Sequence, residues 1–218
     1  MQHPSRRYGQ LKPKSIEGNV FTYHLKQLTA RGLIVKSPNG DYSLTPDGKV
    51  YVDRLSSSNL LPRIQPKIVT LIACKNNAGQ WLVFRRKRQP LLGQVGFIYG
   101  KIHQGELVAE AAKRELQEKA GLQADLKHRG DGYISIAEQG ALVSQIMFHL
   151  FEGTNVQGEL QQHGAGDAYW ALSVDFTKPE YMAGMPELLR LLARGGERFF
   201  VELNFDTDRH APSLGTSA

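Results

Sequence analysis

Residues 100 to 122 read GKIHQGELVAEAAKRELQEKAGL, and the fold turns on this run. Glu106 to Ala120 is rich in Ala, Leu, Glu, Lys and Gln and holds no Pro or interior Gly, so it predicts a helix. Gly121 follows as a stop, since glycine takes the left-handed conformation that ends many helices. Three- and four-residue steps place Arg114, Glu115 and Glu118 along one edge of that helix. Two carboxylates at i and i+3 on a rigid helix make an oxygen cage for Mg²⁺ (or Mn²⁺). Mg²⁺ takes few protein oxygens and keeps waters and substrate phosphates. A backbone carbonyl from the preceding loop, at Tyr99 or Gly100, is a candidate further ligand.

The run resembles the Nudix box, G-x5-E-x7-R-E-U-x-E-E-x-G-U with U aliphatic. Gly100, Glu106, Arg114, Glu115, Leu116, Glu118, Gly121 and Leu122 fall in register. Lys119 stands where the pattern has the second glutamate of its pair. The resemblance implies hydrolysis of a nucleoside diphosphate linked to another moiety, with divalent ions on the box glutamates binding the pyrophosphate and activating a water. Carried over by position, it implies Glu115 and Glu118 as metal carboxylates, with Gly100 or its neighbour as the carbonyl ligand. It implies Glu115 as a group that orients or deprotonates the water, and Glu106 and Arg114 as a pair tying loop to helix. A further acid from a later loop is implied, with Glu138, Glu159 and Asp167 all open as candidates. The stretch GFIYGK at 96–101 stands where members often read G-F-P-G-G-K, so Ile98 replaces a proline and Tyr99 a glycine. That substitution removes the positive-φ tolerance of glycine from the metal loop. An ammonium at Lys119 disfavours a second or third divalent ion by like-charge repulsion, pairs with Glu115, or meets a substrate phosphate.

Arg85-Arg86-Lys87-Arg88 is the densest basic run. Strand alternation selects Arg85 or Arg86 as a phosphate-binding candidate beside the box, with Lys101 and Lys119 as further substrate-binding candidates. Residues 67–75 and 80–87 read as strands around the turn 76–79, residues 133–138 and 141–152 as a hairpin across Gln139-Gly140, and Trp170 lies in a short strand. Residues 185–193 read as a closing helix and 199–203 as a last strand. This order is similar to a Nudix α/β/α sandwich, an α/β fold, over about residues 64 to 195.

Composition bounds the rest. A chain of 218 residues with 41% hydrophobic and 22% charged content fits a globular protein of one large or two small domains. Cys74 is the single cysteine, which excludes an intramolecular disulfide, and the seven histidines show no H-x-x-x-H spacing, so no zinc is expected. No long apolar run or signal-like N-terminus is present, giving a cytoplasmic expectation with no membrane partner.

The net charge of +6 is concentrated early: residues 1–62 hold nine Lys/Arg against four Asp/Glu, a balance of +5. Residues 18–32 predict an amphipathic helix, capped by Asn19 or Ser15, with Val20 or Phe21, Leu25 and Leu28 as its apolar stripe. Strands at 33–37 and 41–44 flank Pro38-Asn39-Gly40, and Thr45-Pro46 caps a second helix. Helix, hairpin, helix with a basic surface resembles a winged helix-turn-helix lacking its first helix. On that reading Thr22, Tyr23, Lys26 and Gln27 face duplex DNA and Lys36 meets phosphate. A clipped module exposes part of its core, which points to a homodimer or to packing on the second domain. The expected organisation is a small winged-helix-like domain at 1–58, a linker at 59–66, a Nudix domain at 67–204 and a mobile tail at 205–218. Two functions follow: a Mg²⁺-dependent pyrophosphohydrolase of nucleotide-type small molecules, or a DNA-binding regulator whose Nudix domain senses such a ligand with little turnover.

Overall fold

The Asn39-Gly40 turn and the Thr45-Pro46 cap frame a three-stranded sheet. Strand β1 (Arg6–Arg7) leads into the short helix α1 (Tyr8–Leu11), then α2 (Gly18–Ala30), β2 (Ile34–Lys36), β3 (Asp41–Leu44) and α3 (Pro46–Asp53). The strands pair antiparallel in the order β1-β3-β2. Gly40 supplies the φ of +85° that the turn demands. The Thr45 hydroxyl accepts the Gly48 N–H at 3.0 Å, an N-cap with proline in the first turn. Leu25, Ile34 and Tyr42 form the core, with Tyr8, Leu11, Phe21 and Leu44 packed against it.

Three sequence expectations shift here. The N-cap of α2 is Glu17, with no side-chain cap bond, rather than Asn19 or Ser15. The Tyr8 hydroxyl donates to the Gly18 carbonyl at 3.1 Å, so tertiary packing marks the helix start. Phe21, not Val20, faces the core, because its ring meets Tyr8 edge-on at 5.3 Å. Leu28 stays exposed.

This computed structural model describes residues 5–56, 61, 64–89, 91–182, 184–196, 198–206 and 209–215, the last as backbone. Half of the expected linker, residues 59, 60, 62 and 63, lies outside the described residues, as do 57 and 58. Contacts divide the chain into two units, Met1–Ile64 and Gln65–Ala218.

The larger unit is built around β4 (Lys67–Cys74), whose last six residues are all buried, as expected of a strand covered on both faces. Then come β5 (Trp81–Arg86), β6 (Val95–Gly96), β7 (Ile98–Lys101), α4 (Val108–Ala120), β8 (Leu122–Glu138), β9 (Ala141–Gly158), β10 (Gly166–Ala171), α5 (Met185–Ala193), β11 (Phe199–Asp206) and β12 (Arg209–Gly215). Six strands run in the order β12-β11-β8-β9-β4-β7, and three in the order β10-β5-β6. Side chains of β4 pointing one way (Val69, Leu71, Ala73) share a core with Trp81, Val83, Phe148 and the α5 residues Met185, Leu188 and Leu192. Those pointing the other way (Ile72, Cys74) pack with Phe84, Ile98 and the α4 residues Ala112, Leu116 and Ala120. Helices therefore cover both faces of the sheet, the α/β/α layering expected. Burial pushes the Cys74 thiol up to about 12, so it acts as a core residue rather than a nucleophile.

The differences from expectation have physical causes. β4 and β5 do not form a hairpin ladder. Asn76 accepts the N–H groups of Ala78 and Gln80 and holds the turn, apart from a bridge at Lys75–Trp81 the strands diverge, and β5 joins the smaller sheet. The β8–β9 hairpin is far longer than read: its strands stay paired back to Leu122 and Gly158, where Leu122, Ala124, Leu126 and Val156 pack into the core on the α4 side. Helix α4 begins at Val108, two residues late, since Glu106 uses its carboxylate on the His103 N–H and on Arg114 and stays in the turn. The tail expected to be mobile instead carries β12, paired antiparallel with β11. An open edge accepts backbone pairing regardless of side chain, and Pro212 is tolerated on an edge strand.

Candidate functional site

Helix α4 presents its charged edge to β7. Arg114 grips Glu106 in a fork, Nε to Oε1 at 2.7 Å and Nη2 to Oε2 at 2.9 Å. It also donates to the Lys101 carbonyl at 3.1 Å, to Glu115 Oε1 at 2.8 Å and to Glu118 Oε2 at 3.2 Å. Arg114 thus ties the strand, the turn and both box carboxylates together, and the clamp expected of Glu106 and Arg114 is formed. Bidentate pairing is the strong form of this contact.

The Glu106 carboxyl sits well below the usual range, at about 2, first through the Arg114 hydrogen bond and then through the His103 N–H. Its folded value lies below the 4.5 of an unperturbed group. Glu106 therefore contributes stability above about pH 4.5 that is lost as pH falls toward about 2. Denaturant titrations at stepped pH should show the wild type weakening through this window and Glu106→Gln weakening less. Equal slopes would remove the clamp from the acid response.

Glu115 is 6% exposed and lies directly over Gly100. Gly100 does not have a positive φ; it sits in β7, opposite Thr70. Glycine is required there because a Cβ would fall 1.6 Å from the Glu115 carboxyl carbon. The concern over positive φ in the 96–101 stretch falls away, since Tyr99 lies in strand β7 without a positive φ and Ile98 is fully buried.

Lys119 reaches back one turn. Its ammonium donates to the Tyr99 carbonyl, lies 3.1 Å from Glu115 Oε2, and stands 4.2 Å from the Tyr99 ring centre. Only 12% of this side chain is exposed. Burial lowers the Lys119 pKa, and the Glu115 carboxylate opposes that shift. Arg86 bonds the Tyr99 hydroxyl, with its guanidinium 4.8 Å from the ring centre. Its Nε is buried without a partner among the described residues. Arg85 points the other way, 5.9 Å from the Tyr169 ring and within 3.4 Å of its hydroxyl, so of the two arginines Arg86 alone belongs to the box.

The NUDIX domain model matches residues 65–192, more than half of the chain. The chain belongs to the Nudix family. Solved Nudix-type structures share its fold. A mutator MutT protein from Bacillus halodurans superposes with a TM-score of 0.52 at 23% identity, over 65% of this chain and 92% of that one. A MutT Nudix hydrolase from Burkholderia pseudomallei gives 0.51 at 20% identity, over 59% and 99%. Comparison with curated proteins finds no match.

Nudix enzymes generally use divalent metals, and the donor set can be tested for one. Both Glu115 oxygens are already engaged, Oε1 by Arg114 and Oε2 by Lys119, and the Tyr99 carbonyl is taken by the same ammonium. A divalent ion bridging that carbonyl and Glu115 would lie within a few ångströms of the ammonium, a repulsion on the order of several kcal/mol. The inner metal position does not fit this chain. Glu118, 54% exposed along its side chain, is the one box carboxylate facing solvent. The described residues show no hydrogen bond or ion pair joining Glu138, Glu159 or Asp167 to the box carboxylates. Asp167 pairs instead with Lys87.

Sequence reasoning passed over two groups. Lys67 lies close enough to Lys101 and Arg86 that, after burial, their charges lower its pKa. His128 and His149 both meet Asp131 Oδ1, at 2.8 and 2.6 Å, on the face of the sheet that carries Gly100. The row Gly100–Thr70–His149–Asp131 crosses four paired strands. A β-bulge between His128 and Gly130 brings His128 to the same place, a register no sequence spacing displays. In the smaller unit, Thr22, Tyr23, Lys26 and Gln27 are exposed on α2 and Lys36 is exposed on β2. The Thr22 hydroxyl is shared with Tyr8 at 3.2 Å, and the Lys36 ammonium stands 5.5 Å from the Tyr42 ring centre.

Proposed function

We propose that this Nudix protein binds a nucleoside diphosphate derivative across the box as a receptor, with little turnover, and contacts duplex DNA through its N-terminal unit. The observation that carries the receptor reading is the Lys119 ammonium on the Tyr99 carbonyl, in the position a metal ion would need. The class of ligand follows from the family and from the basic side chains around Tyr99. Screening the full chain against a panel of nucleoside diphosphate derivatives, for binding by calorimetry and for phosphate release with Mg²⁺ or Mn²⁺, tests it. Tight binding with negligible release is expected; rapid release would return the protein to the hydrolases.

The hydrolase reading has one observation in its favour. Glu106, Arg114, Glu115 and Glu118 keep the full box constellation, and Glu118 remains open to solvent for a single ion. In that reading Glu118 would hold the metal, which would polarise a phosphate and acidify a bound water. Arg114 would fix the carboxylate geometry.

For the N-terminal unit, the +5 balance of residues 1–62 and the exposed polar face of α2 support phosphate and groove contacts by Thr22, Tyr23, Lys26, Gln27 and Lys36. Affinity for a duplex should fall steeply with salt, and Lys26→Ala or Lys36→Ala should each reduce the log–log salt slope by about one. Fluorescence anisotropy measures both; absence of binding at low salt would mark the unit as a protein-interaction module. A homodimer would suit paired DNA half-sites, and sedimentation reads that state directly.

A further inference from the structure

Tyr99 is ringed by cations. Lys119 lies on its carbonyl and ring face, and Arg86 lies on its hydroxyl and ring. Lys67 and Lys101 are near enough for like charge to act between them and Arg86. The one buried carboxylate at this place, Glu115, is already shared between Arg114 and Lys119. Four basic side chains therefore gather, faced by the buried Glu115, itself divided, and by the solvent-exposed Glu118. The buried Arg86 Nε has no acceptor among the described residues, so this guanidinium keeps unused donor capacity beside the cluster. An arrangement of this kind is costly to maintain without an anion, because burial and mutual repulsion both oppose the charged forms. Anionic oxygens supply what is missing: negative charge for the lysines and acceptors for the arginine fork.

We infer that the box binds the phosphates of its ligand with protein-borne cations, Lys119 and Arg86 foremost, so that binding requires no divalent ion. The inference deepens the proposed function, and rests on it for the nucleotide part of the ligand only. The ammonium replaces the metal in both of its static duties. It neutralises phosphate charge, and it links the Tyr99 carbonyl to Glu115, so β7 and α4 are held at fixed separation without an ion. It does not replace the metal's remaining duty, since a saturated ammonium has no open coordination position at which to acidify a water. Binding without efficient hydrolysis is the consequence. Lys67 and Lys101 are further contributors at the rim, on strands β4 and β7 that pair directly.

Calorimetric titration of the full chain with inorganic pyrophosphate and with ADP, in EDTA and again in Mg²⁺, tests the inference. Wild-type affinity for pyrophosphate should agree within about twofold between the two buffers. Lys119→Met and Arg86→Met should each weaken it by at least about tenfold in EDTA, with melting temperatures reported alongside to separate lost binding from lost fold. Mn²⁺ paramagnetic resonance provides a second measurement: Lys119→Glu should bind one Mn²⁺ more than the wild type. Binding of pyrophosphate in EDTA with no preference for ADP would uphold the inference while sinking the nucleotide ligand class. Binding of either probe only when Mg²⁺ is present would overturn the inference while leaving the nucleotide reading standing. Failure of pyrophosphate to bind in EDTA, or equal Mn²⁺ binding by the wild type and Lys119→Glu, also overturns it.

Discussion

Lys119→Glu should convert this site from one that excludes divalent ions into one that holds them. The change removes the ammonium from the Tyr99 carbonyl and places a third carboxylate beside Glu115 and Glu118. The carbonyl and Glu115 Oε2 are then both released toward the same point. Mg²⁺ affinity should rise by at least about tenfold, because repulsion is exchanged for attraction within a few ångströms. Any phosphate release on the substrate panel should rise with it. Metal-free pyrophosphate binding should be lost in the same variant. A fall in turnover on a genuine substrate would lead elsewhere: the box would then be a working active site in which the lysine serves turnover as well as phosphate binding.

Gly100→Ala should be the most damaging single methyl group in the larger unit. A Cβ there would fall inside the Glu115 carboxylate, 1.6 to 2.1 Å from its carbon and two oxygens. Glu115 is almost buried, and α4 cannot recede without disturbing Leu116 and Ala112, which are packed on Ile98 and Ile72. The carboxylate must leave its place, which breaks its pairs with Arg114 and Lys119; Arg114 keeps Glu106 and Glu118, but Lys119 is stranded in a shielded pocket. Disrupting a buried charge pair costs about 3–5 kcal/mol. Urea unfolding followed by the near-ultraviolet signal of Trp81 and Trp170 measures the loss. A cost below about 1 kcal/mol would show that Glu115 can move freely.

These two residues mark the limit of what sequence alone discloses. Helix α4, its glycine stop, the Thr45-Pro46 cap and helix α5 are legible because each is determined within a few residues. The Glu106–Arg114 clamp follows from the box resemblance. The first half of β8 escapes notice because LQADLKHRG carries no strand-like pattern; its pairing comes from β9, with β11 joining only at Gly130. β12 escapes because a paired edge asks little of its side chains. Lys119 could be read as a departure from the pattern, yet its bond to the Tyr99 carbonyl depends on how β7 lies against α4. The meeting of His128, Asp131 and His149 depends on hairpin register and on one bulge. Arg85 and Arg86 were equivalent until strand β5 had a direction relative to Tyr99.

The parallel pairings also set a timetable for synthesis. β4 finds β9 only after some 70 further residues have been made, and β8 receives β11 across a comparable interval. A chain emerging from the ribosome N-terminus first can close the small β1–β3 sheet early, from contacts within about 50 residues. In the larger sheet only the β4–β7 and β8–β9 pairings are local. Its hub strand, apolar on both faces, waits in the nascent chain for its parallel neighbour β9, and contacts so distant in sequence form slowly. Production of this protein should therefore be more sensitive to chaperone supply during translation than to the final stability of the fold.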